Sequence, residues 1–236
     1  MRIDKFISEL GIASRKEASK IARGGGVLVN GIAVRDLSAH IDPEKDTVIF
    51  QGRELSYKKY VYVMLNKPAG YVSATEDSKL PVVTELLPEE LQSRGLFPVG
   101  RLDKDTLGMM ILTNNGSLAH TVLSPKRHVE KEYYFESAEP LTPDAEEKFK
   151  TGIVLRDGYE CKSAEIKLNT DRKSGIITLT EGKYHQIKRM VASFDNAVTY
   201  LKRISFATIP LDESLAEGKW RYLTPDEEAL LVSFTK

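Results

Sequence analysis

Six short apolar segments, separated by turns rich in Gly, Asp and Asn, occupy much of the chain between residues 61 and 180. Runs of this length and composition are typical of β-strands joined by tight turns. Helical patterns are interspersed irregularly, which excludes the regular strand-helix alternation of a doubly wound fold. We therefore predict an α+β fold with a mixed, mainly antiparallel sheet flanked by helices. The predicted strands are 61–65, 96–99, 109–113, 133–135, 164–168 and 176–180.

The first 57 residues have a different pattern, typical of a small α-helical and β-hairpin domain. Apolar residues at helical spacing precede Gly11, which ends the first predicted helix. Ser14-Arg-Lys-Glu17 is a capping box, in which the serine and glutamate side chains bind free backbone N–H groups at a helix start. Residues 27–34 predict a hairpin turning at Asn30-Gly31, and residues 47–50 predict another strand.

Three further helices are predicted in the longer second part of the chain. Residues 185–194 place Ile187, Met190, Val191 and Phe194 on one helical face. Thr142 followed by proline predicts a cap with proline at the first helical position. The capping box Thr224-Pro-Asp-Glu227 opens a final helix through Leu231. Together these patterns predict two domains, residues 1–57 and residues 60–236, the second containing the sheet.

The charge is unevenly distributed, although 34 basic and 34 acidic side chains give a formal net charge of zero. Residues 1–35 carry seven basic and three acidic side chains, and residues 183–203 carry five and one. Such clusters are typical of phosphate contacts with nucleic acid, but solvated helix faces produce the same pattern. On the second predicted helix, one face carries Lys16, Lys20 and Arg23, which we call the basic stripe.

Cysteine usage and hydropathy favour a reducing, aqueous environment. The single cysteine, Cys161, excludes an intramolecular disulfide framework and a cysteine-based zinc site. No apolar run approaches the roughly 18 residues of a membrane-spanning helix, and the amino-terminal residues form a charged amphipathic pattern instead of a secretory signal. We expect a cytoplasmic protein without a membrane partner, with the monomer as the default oligomeric state.

Several common catalytic and cofactor-binding signatures are missing from the sequence. It contains no phosphate-binding loop ending in Gly-Lys-Ser/Thr, no dinucleotide-binding glycine pattern and no Gly-x-Ser-x-Gly nucleophile motif. Asp103 and Asp105 lack a supporting cluster of ligands, so we predict no metal and no cofactor. The histidines are too scattered to predict a metal site, and we expect structural or surface roles for His40, His120, His128 and His185.

Three short motifs stand out in the first domain, namely Arg2-Ile-Asp-Lys5, Ser14-Arg15 and Val27-Leu-Val-Asn-Gly31. Together with the order of helices and hairpin, they resemble the small RNA-binding domain named after ribosomal protein S4. Such domains dock on structured RNA mainly through phosphate contacts. The resemblance therefore implies RNA contacts for the basic side chains of this domain, namely Arg2, Lys5, Arg15, Lys16, Lys20 and Arg23.

The predicted loop around Asp103 places a carboxylate at the end of a strand. By residue type alone, such a carboxylate is either a turn residue or a functional group. The sequence here, Gly100-Arg-Leu-Asp103 with Thr106, Gly108 and Leu112-Thr-Asn-Asn-Gly116, resembles the central motif of pseudouridine synthases, in the branch that includes ribosomal small subunit pseudouridine synthase A. The resemblance spans almost the whole chain and rests also on Asn66-Lys-Pro-Ala-Gly70, Lys131-Glu-Tyr133, residues 181–190, Leu201-Lys-Arg203 and residues 218–225. It implies an enzyme that detaches uracil from ribose, turns the base and rejoins it through carbon.

The resemblance also implies a role for the carboxylate and its neighbours. Asp103 attacks the sugar or removes a ribose proton, and the sequence leaves both routes open. Because burial disfavours an ionised carboxylate, a nearby cation is needed, for which Lys188 is favoured and Arg189 is second. On their residue types alone, these two side chains could instead bind phosphate, and RNA contacts are predicted for Arg189 and Arg101.

Two more side chains are implied to handle the base after it leaves its stack. Tyr133 is implied as the aromatic surface that receives the flipped uridine, although it could instead be a core residue of a strand. Arg101 is implied to fill the space left by the base, and could otherwise pair with Asp105. We expect Tyr134 to lie on the opposite face from Tyr133, and residues 66–70 to build the turn next to the site.

The segment Tyr184-His-Gln-Ile-Lys-Arg-Met190 is more similar to the small-subunit enzymes than to their large-subunit relatives. This similarity favours 16S ribosomal RNA, free or in a small-subunit assembly intermediate, as the substrate. Two alternatives stay open: a synthase that modifies 23S ribosomal RNA, and a non-catalytic RNA-binding factor for ribosome assembly.

Overall fold

The computed structural model describes residues 1–235 and divides into two compact units. The first unit comprises Met1–Val61 and Leu87–Leu96, and the second comprises Tyr62–Leu86 and the chain from Phe97 onwards. The division into domains between residues 57 and 60 stays a prediction from the sequence.

Helices and strands alternate irregularly along the chain. The helices are α1 (Ile3–Glu9), α2 (Arg15–Arg23), α3 (Glu89–Gln92), α4 (Gly116–Leu123), α5 (Ala145–Thr151), α6 (Gln186–Ala192) and α7 (Pro225–Ser233), with 3-10 turns at Val83–Leu86 and Pro125–Arg127. The strands are β1 (Val27–Val29), β2 (Ile32–Ala33), β3 (Val48–Phe50), β4 (Arg53–Leu55), β5 (Tyr62–Lys67), β6 (Phe97–Pro98), β7 (Leu107–Thr113), β8 (Lys131–Ser137), β9 (Glu165–Leu168), β10 (Ser174–Leu179), β11 (Val198–Phe206), β12 (Ile209–Pro210) and β13 (Trp220–Tyr222). No helix within residues 1–235 is long and apolar enough to cross a membrane.

The first unit packs α1 and α2 against a four-stranded sheet of order β2-β1-β3-β4. The predicted capping box is present, because the Ser14 hydroxyl accepts from the Glu17 N–H and the Glu17 carboxylate accepts from the Ser14 N–H. Asn30 and Gly31 have φ angles of 51° and 80°, as the predicted tight turn between β1 and β2 requires. The helix-helix-hairpin pattern of the first domain is thereby confirmed.

A nine-stranded sheet organises the second unit. Its main path has the order β13-β5-β7-β11-β8-β10-β9, with β6 beside β7 and β12 beside β11. Strands β7 and β11 run parallel, and the other strand pairs of this sheet within the described residues are antiparallel. The predicted α+β class with a mixed, mainly antiparallel sheet is confirmed, and the helices predicted at 185–194 and 224–231 form as α6 and α7.

Strands β7 and β11 approach each other closely at Gly108. Its φ is 98°, and a Cβ atom at this position would lie 2.2 Å from the carbonyl oxygen of Arg203 and 2.8 Å from its backbone nitrogen. Glycine tolerates both this backbone conformation and this contact. The close approach fixes the start of β7, and therefore the loop before it, against the centre of the sheet.

The structure adds elements that were not predicted and corrects one local prediction. Among the unpredicted elements is the central strand β11, because Lys202 and Arg203 give its centre a polar sequence, although Arg203 is only 1% exposed. The helix predicted to follow a Thr142 cap begins instead at Ala145, with Asp144 as the residue before it. The Thr142 hydroxyl donates to the Asp144 carboxylate at 2.6 Å and caps no backbone group of the helix.

Candidate active site

A cleft of about 1280 Å³ opens in the second unit, and its walls come from distant parts of the chain. A narrower pocket of about 80 Å³ shares several of the same side chains. Convergence of polar groups on one concave space is typical of an active site. The side chains shared by the cleft and the pocket include Arg101, Asp103, Tyr133, Glu181, Lys183, His185 and Lys188.

The loop that carries Asp103 is held by a buried lysine. Lys67, at the end of β5, is fully buried, and its Nζ donates to the carbonyl oxygens of Pro68, Lys104 and Thr106 at 3.1, 3.2 and 2.8 Å. The Gly70 N–H donates to the same Lys104 carbonyl at 2.8 Å. Burial lowers the pKa of Lys67 to about 8. Residues 66–70 thus support the loop next to the cleft, as predicted.

Lys188 joins two carboxylates of this loop. Its Nζ lies 3.0 Å from Asp103 Oδ2 and 2.6 Å from Asp105 Oδ1. Burial works to lower the pKa of Lys188, but hydrogen bonds to Asp105 and Asp103 outweigh it and raise that pKa above its usual value. The hydrogen bond from Lys188 in turn lowers the pKa of Asp105. A cation is therefore fixed beside Asp103, whose side chain is 26% exposed to the cleft.

His185 also contacts Asp103, although the sequence indicated only a structural or surface role for it. Its Nε2 lies 3.5 Å from Asp103 Oδ1, on the side of the carboxylate away from the Lys188 contact at Oδ2. The imidazole stacks on the ring of Tyr184 with centroids 3.8 Å apart, and Tyr184 is 72% exposed. His185 can therefore orient the carboxylate, and the scatter of histidines along the sequence gave no signal of this proximity.

Tyr133 faces the cleft from the centre of β8. It is 9% exposed, whereas Tyr134 lies on the opposite face of the strand and donates to Glu136 at 3.1 Å. The predicted alternation of the two tyrosines is confirmed. Tyr133 is paired in register with Ile177 of β10 and Arg203 of β11, which places it in the middle of the sheet.

The two arginines predicted to bind RNA near Asp103 differ in their contacts. Arg101 is exposed at the cleft, and its side chain forms no hydrogen bond or ion pair with any residue from 1 to 235. The alternative pairing with Asp105 does not form, because Asp105 binds Lys188. Arg189 binds Asp157 and donates to the Tyr184 carbonyl at 3.4 Å, so it lies away from Asp103.

Among the charged side chains of the cleft without an assigned role in the sequence interpretation, three are partly or fully buried. Glu181 is buried and accepts hydrogen bonds from the Tyr159 hydroxyl at 2.7 Å and Gln186 Nε2 at 2.6 Å. Arg203 on β11 is buried and Lys131 on β8 is half-buried, and both line the same cleft. These two positions have no local signal, since a charged residue within a strand normally predicts a solvent-facing position.

The basic side chains of the first unit are held differently on α1 and α2. Arg2 pairs with Asp4 at 2.7 and 3.0 Å, and Lys5 lies 3.5 Å from Glu9, so acidic neighbours partly neutralise both. The exposed cationic surface of α2 is formed by Arg15 and the basic stripe. These residues lie on one exposed helix, as a phosphate-binding surface requires.

Among residues 1–235, side chains that could hold a metal ion do not cluster: no group of three or more His, Cys, Asp or Glu side chains is placed to bind one. Cys161 is buried, and burial raises the pKa of its thiol, which favours the unreactive protonated form.

Comparisons with known proteins bear on both units. A family model described as RNA pseudouridylate synthase matches residues 61–193, and one described as S4 domain matches residues 1–48. An uncharacterized RNA pseudouridine synthase of Bacillus subtilis is 43% identical over 98% of each chain. Ribosomal small subunit pseudouridine synthase A of Escherichia coli is 38% identical, covering 98% of this chain and 100% of its own. A pseudouridylate synthase crystal structure is 36% identical with a TM-score of 0.69, covering 98% of this chain and 100% of the other.

Proposed function

The chain belongs to the RNA pseudouridylate synthase family and carries an S4 domain, and from this premise we propose that it converts one uridine of 16S ribosomal RNA into pseudouridine. The ribosomal target is supported by full-length similarity to relatives named ribosomal small subunit pseudouridine synthase A. The enzyme acts in the cytoplasm as a monomer, on free RNA or on a small-subunit assembly intermediate.

The observation that carries the proposal is the carboxylate of Asp103 held between Lys188 and His185 at the wall of a cleft. Pseudouridine formation breaks the bond from uracil N1 to ribose C1′ and forms a bond from C5 to the same carbon. The product is an isomer of the substrate, so the reaction consumes no second substrate. Asp103 either attacks the sugar or removes a ribose proton, and both routes need the ionised carboxylate.

Lys188 provides the electrostatic condition for that chemistry. A cation 3.0 Å from Asp103 Oδ2 favours the ionised carboxylate in a partly buried site. Asp105 binds the same ammonium group but is more exposed, with 72% of its side chain accessible to solvent. We therefore assign catalysis to Asp103 and a supporting electrostatic contact to Asp105.

Tyr133 and Arg101 are suited to handle a base that has left its stack. Tyr133 presents an aromatic ring to the cleft from a rigid strand, and stacking on such a ring offsets part of the few kcal/mol that unstacking costs. Arg101 is exposed next to Asp103 and has no protein partner within residues 1–235, so it is available to RNA. Arg189 is paired with Asp157, and an RNA contact of its guanidinium remains part of the proposal.

The first unit is proposed to anchor the RNA through phosphate contacts. Arg15 and the basic stripe are exposed on α2, and Arg2 and Lys5 add positive charge on and before α1. Contacts to phosphate position an RNA without reading its sequence. The residue-level RNA contacts and the domain limits 1–57 and 60–236 are parts of this proposal.

The test is a map of pseudouridines in ribosomal RNA from cells with and without the gene, by carbodiimide labelling and primer extension. We expect one position of 16S ribosomal RNA to lose its modification, and the wild-type gene to restore it. Loss of a position in 23S ribosomal RNA would correct the target and keep the reaction. An unchanged map in both RNAs would contradict the proposed substrate.

Two matched variants test the assignment of Asp103 in the same assay and with purified enzyme. Asp103→Asn should lower the single-turnover rate by at least about 10³-fold, as expected for loss of a reacting group, while RNA binding is retained. Asp105→Asn removes the other carboxylate bound to Lys188 and should retain a rate within about tenfold of wild type. Equal losses in the two variants would show that Asp103 acts only by holding Lys188.

A further inference from the structure

Lys131 and Arg203 lie side by side on the face of the sheet that forms the cleft. In the antiparallel pair of β8 and β11, Arg203 is directly opposite Tyr133, so their side chains point to the same face. Lys131 is two residues from Tyr133 on β8 and therefore shares that face. All three side chains line the cleft that contains Asp103.

Arg203 is buried with part of its hydrogen-bonding capacity unused. The side chain is 1% exposed, and its Nε donates to the Met109 carbonyl at 2.6 Å. Its Nη2 is buried and has no hydrogen-bond partner among residues 1–235. Because a buried N–H group without an acceptor is costly, this guanidinium is suited to bind an acceptor that the described part of the chain does not supply.

Lys131 is a second cationic side chain beside Arg203. Its Nζ donates to the Val129 carbonyl at 2.7 Å, and no carboxylate in residues 1–235 forms an ion pair with Lys131 or Arg203. Burial, and then repulsion from Arg203, lower the pKa of Lys131 to about 8, against a weaker attraction from Glu181. The Glu181 carboxylate is already engaged with Tyr159, Gln186 and the Lys162 N–H.

One buried and one half-buried cation at a cleft wall, with no paired carboxylate among residues 1–235, are stabilised if a bound ligand brings the negative charge. We propose that Lys131 and Arg203 form an anion subsite that receives a negatively charged oxygen of the RNA substrate. This inference rests on the proposed function, because it takes the substrate of the cleft to be RNA.

Two parts of the substrate offer such an oxygen. One is a backbone phosphate close to the target nucleotide. The other is a carbonyl oxygen of uracil after the bond from N1 to C1′ breaks, when the bonding electron pair stays on the base and its charge is shared with O2 and O4. Asp103 compensates the ribose carbon by bonding to it or by accepting a ribose proton.

The test compares Lys131→Met, Lys131→Arg and, as a matched control, Lys162→Met, which removes an exposed lysine of the same cleft. Binding of a 16S ribosomal RNA transcript is measured over a series of salt concentrations, and single-turnover rates are measured at saturating enzyme. Lys131 is tested because Arg203 also binds the Met109 carbonyl, so its removal would disturb the sheet. Melting temperatures confirm that each variant is folded.

If the ligand is a phosphate, Lys131→Met weakens RNA binding about tenfold and leaves the single-turnover rate unchanged. The slope of log binding constant against log salt concentration then decreases by the amount expected for the loss of about one phosphate contact. If the ligand is the uracil oxygen, binding stays within twofold and the rate falls about 10²-fold, a loss typical of removing a stabilising group from an oxyanion. Lys131→Arg keeps the charge and should recover most of either loss.

The subsite is refuted if folded Lys131→Met matches Lys162→Met in both binding and rate. It is also refuted if Lys131→Arg behaves like Lys131→Met. The binding measurement is informative even if the wild-type enzyme modifies no ribosomal RNA. A failure of the proposed function is therefore distinguishable from a failure of the subsite.

Discussion

The buried Lys67 predicts a measurable rise in stability at alkaline pH. Its pKa is about 8 in the folded protein, against a usual value of 10.5 that an unfolded chain retains. The folded state therefore releases the proton first, and the free energy of unfolding increases as the pH rises from 8 to 10.5. This contribution of Lys67 to the unfolding free energy is fully present above pH 10.5 and is lost as the pH falls through 8. The difference between the two pKa values corresponds to about 3 kcal/mol of unfolding free energy.

The perturbation is Lys67→Met, which removes the titrating group and keeps a long unbranched side chain. The variant also loses the bonds to the carbonyls of Pro68, Lys104 and Thr106, so its stability at any single pH is not the test. The test is how the difference in unfolding free energy between wild type and variant changes with pH. Groups that titrate equally in both proteins cancel from this difference.

Urea unfolding followed by the fluorescence of Trp220 suits the measurement. Trp220 is the single tryptophan of the chain and is paired with Leu65, two residues before Lys67. Between pH 7 and pH 9.5, the unfolding free energy of wild type should rise by about 2 kcal/mol relative to that of Lys67→Met. Lys126→Met, at an exposed position, should follow the wild-type curve. A difference between wild type and Lys67→Met that stays constant within about 0.5 kcal/mol over this range would refute the reasoning.

Three further predictions follow from the geometry. Gly108→Ala should lower the unfolding free energy of the second unit by more than about 3 kcal/mol in urea, because the new Cβ would overlap the backbone of β11. In the control Gly116→Ala, the Cβ has open space around it, and the unfolding free energy should stay within about 1 kcal/mol of wild type. Replacing the basic stripe by alanines should weaken RNA binding and flatten its salt dependence, and an unchanged slope would remove those residues from the interface. Tyr184→Ala should raise the KM for RNA several-fold with kcat retained, because the exposed ring can stack on a base. Tyr184→Phe keeps an aromatic ring and should have a KM close to that of wild type.

Local signals in the sequence predicted most elements of the fold. The Ser14 capping box and the Asn30-Gly31 turn depend on neighbouring residues alone, and both are present as predicted. Strand β11 was not predicted, because Lys202 and Arg203 give its centre a polar sequence and Arg203 is accommodated by a hydrogen bond to the Met109 carbonyl of β7. Such accommodation depends on tertiary structure and has no signature within the strand itself.

Residues of the candidate site that belong to a recognisable motif could be predicted from the sequence. Residues that approach the site only through the fold could not. Asp103, Tyr133 and Lys188 were singled out by resemblance, and the structure brings them to one cleft; their catalytic roles stay a proposal. His185 lies beside Asp103 although the two are far apart in sequence, and nothing in its local pattern indicated this. The burial of Arg203 and the partial burial of Lys131 follow from the register of β8 and β11, and this register depends on both segments together.

The central position of β11 has a consequence for how the enzyme is made. On one side of it lie β7, β5 and the edge strand β13, and on the other lie β8, β10 and β9. Strands β5 and β7 and strands β8–β10 all precede β11 in the chain, so during translation they can emerge before Val198–Phe206. Until β11 emerges and closes the long loop back to Gly108, Asp103 and Tyr133 belong to separate parts of the sheet. A chain that ends before β11 therefore lacks the strand that joins the two halves of the candidate site.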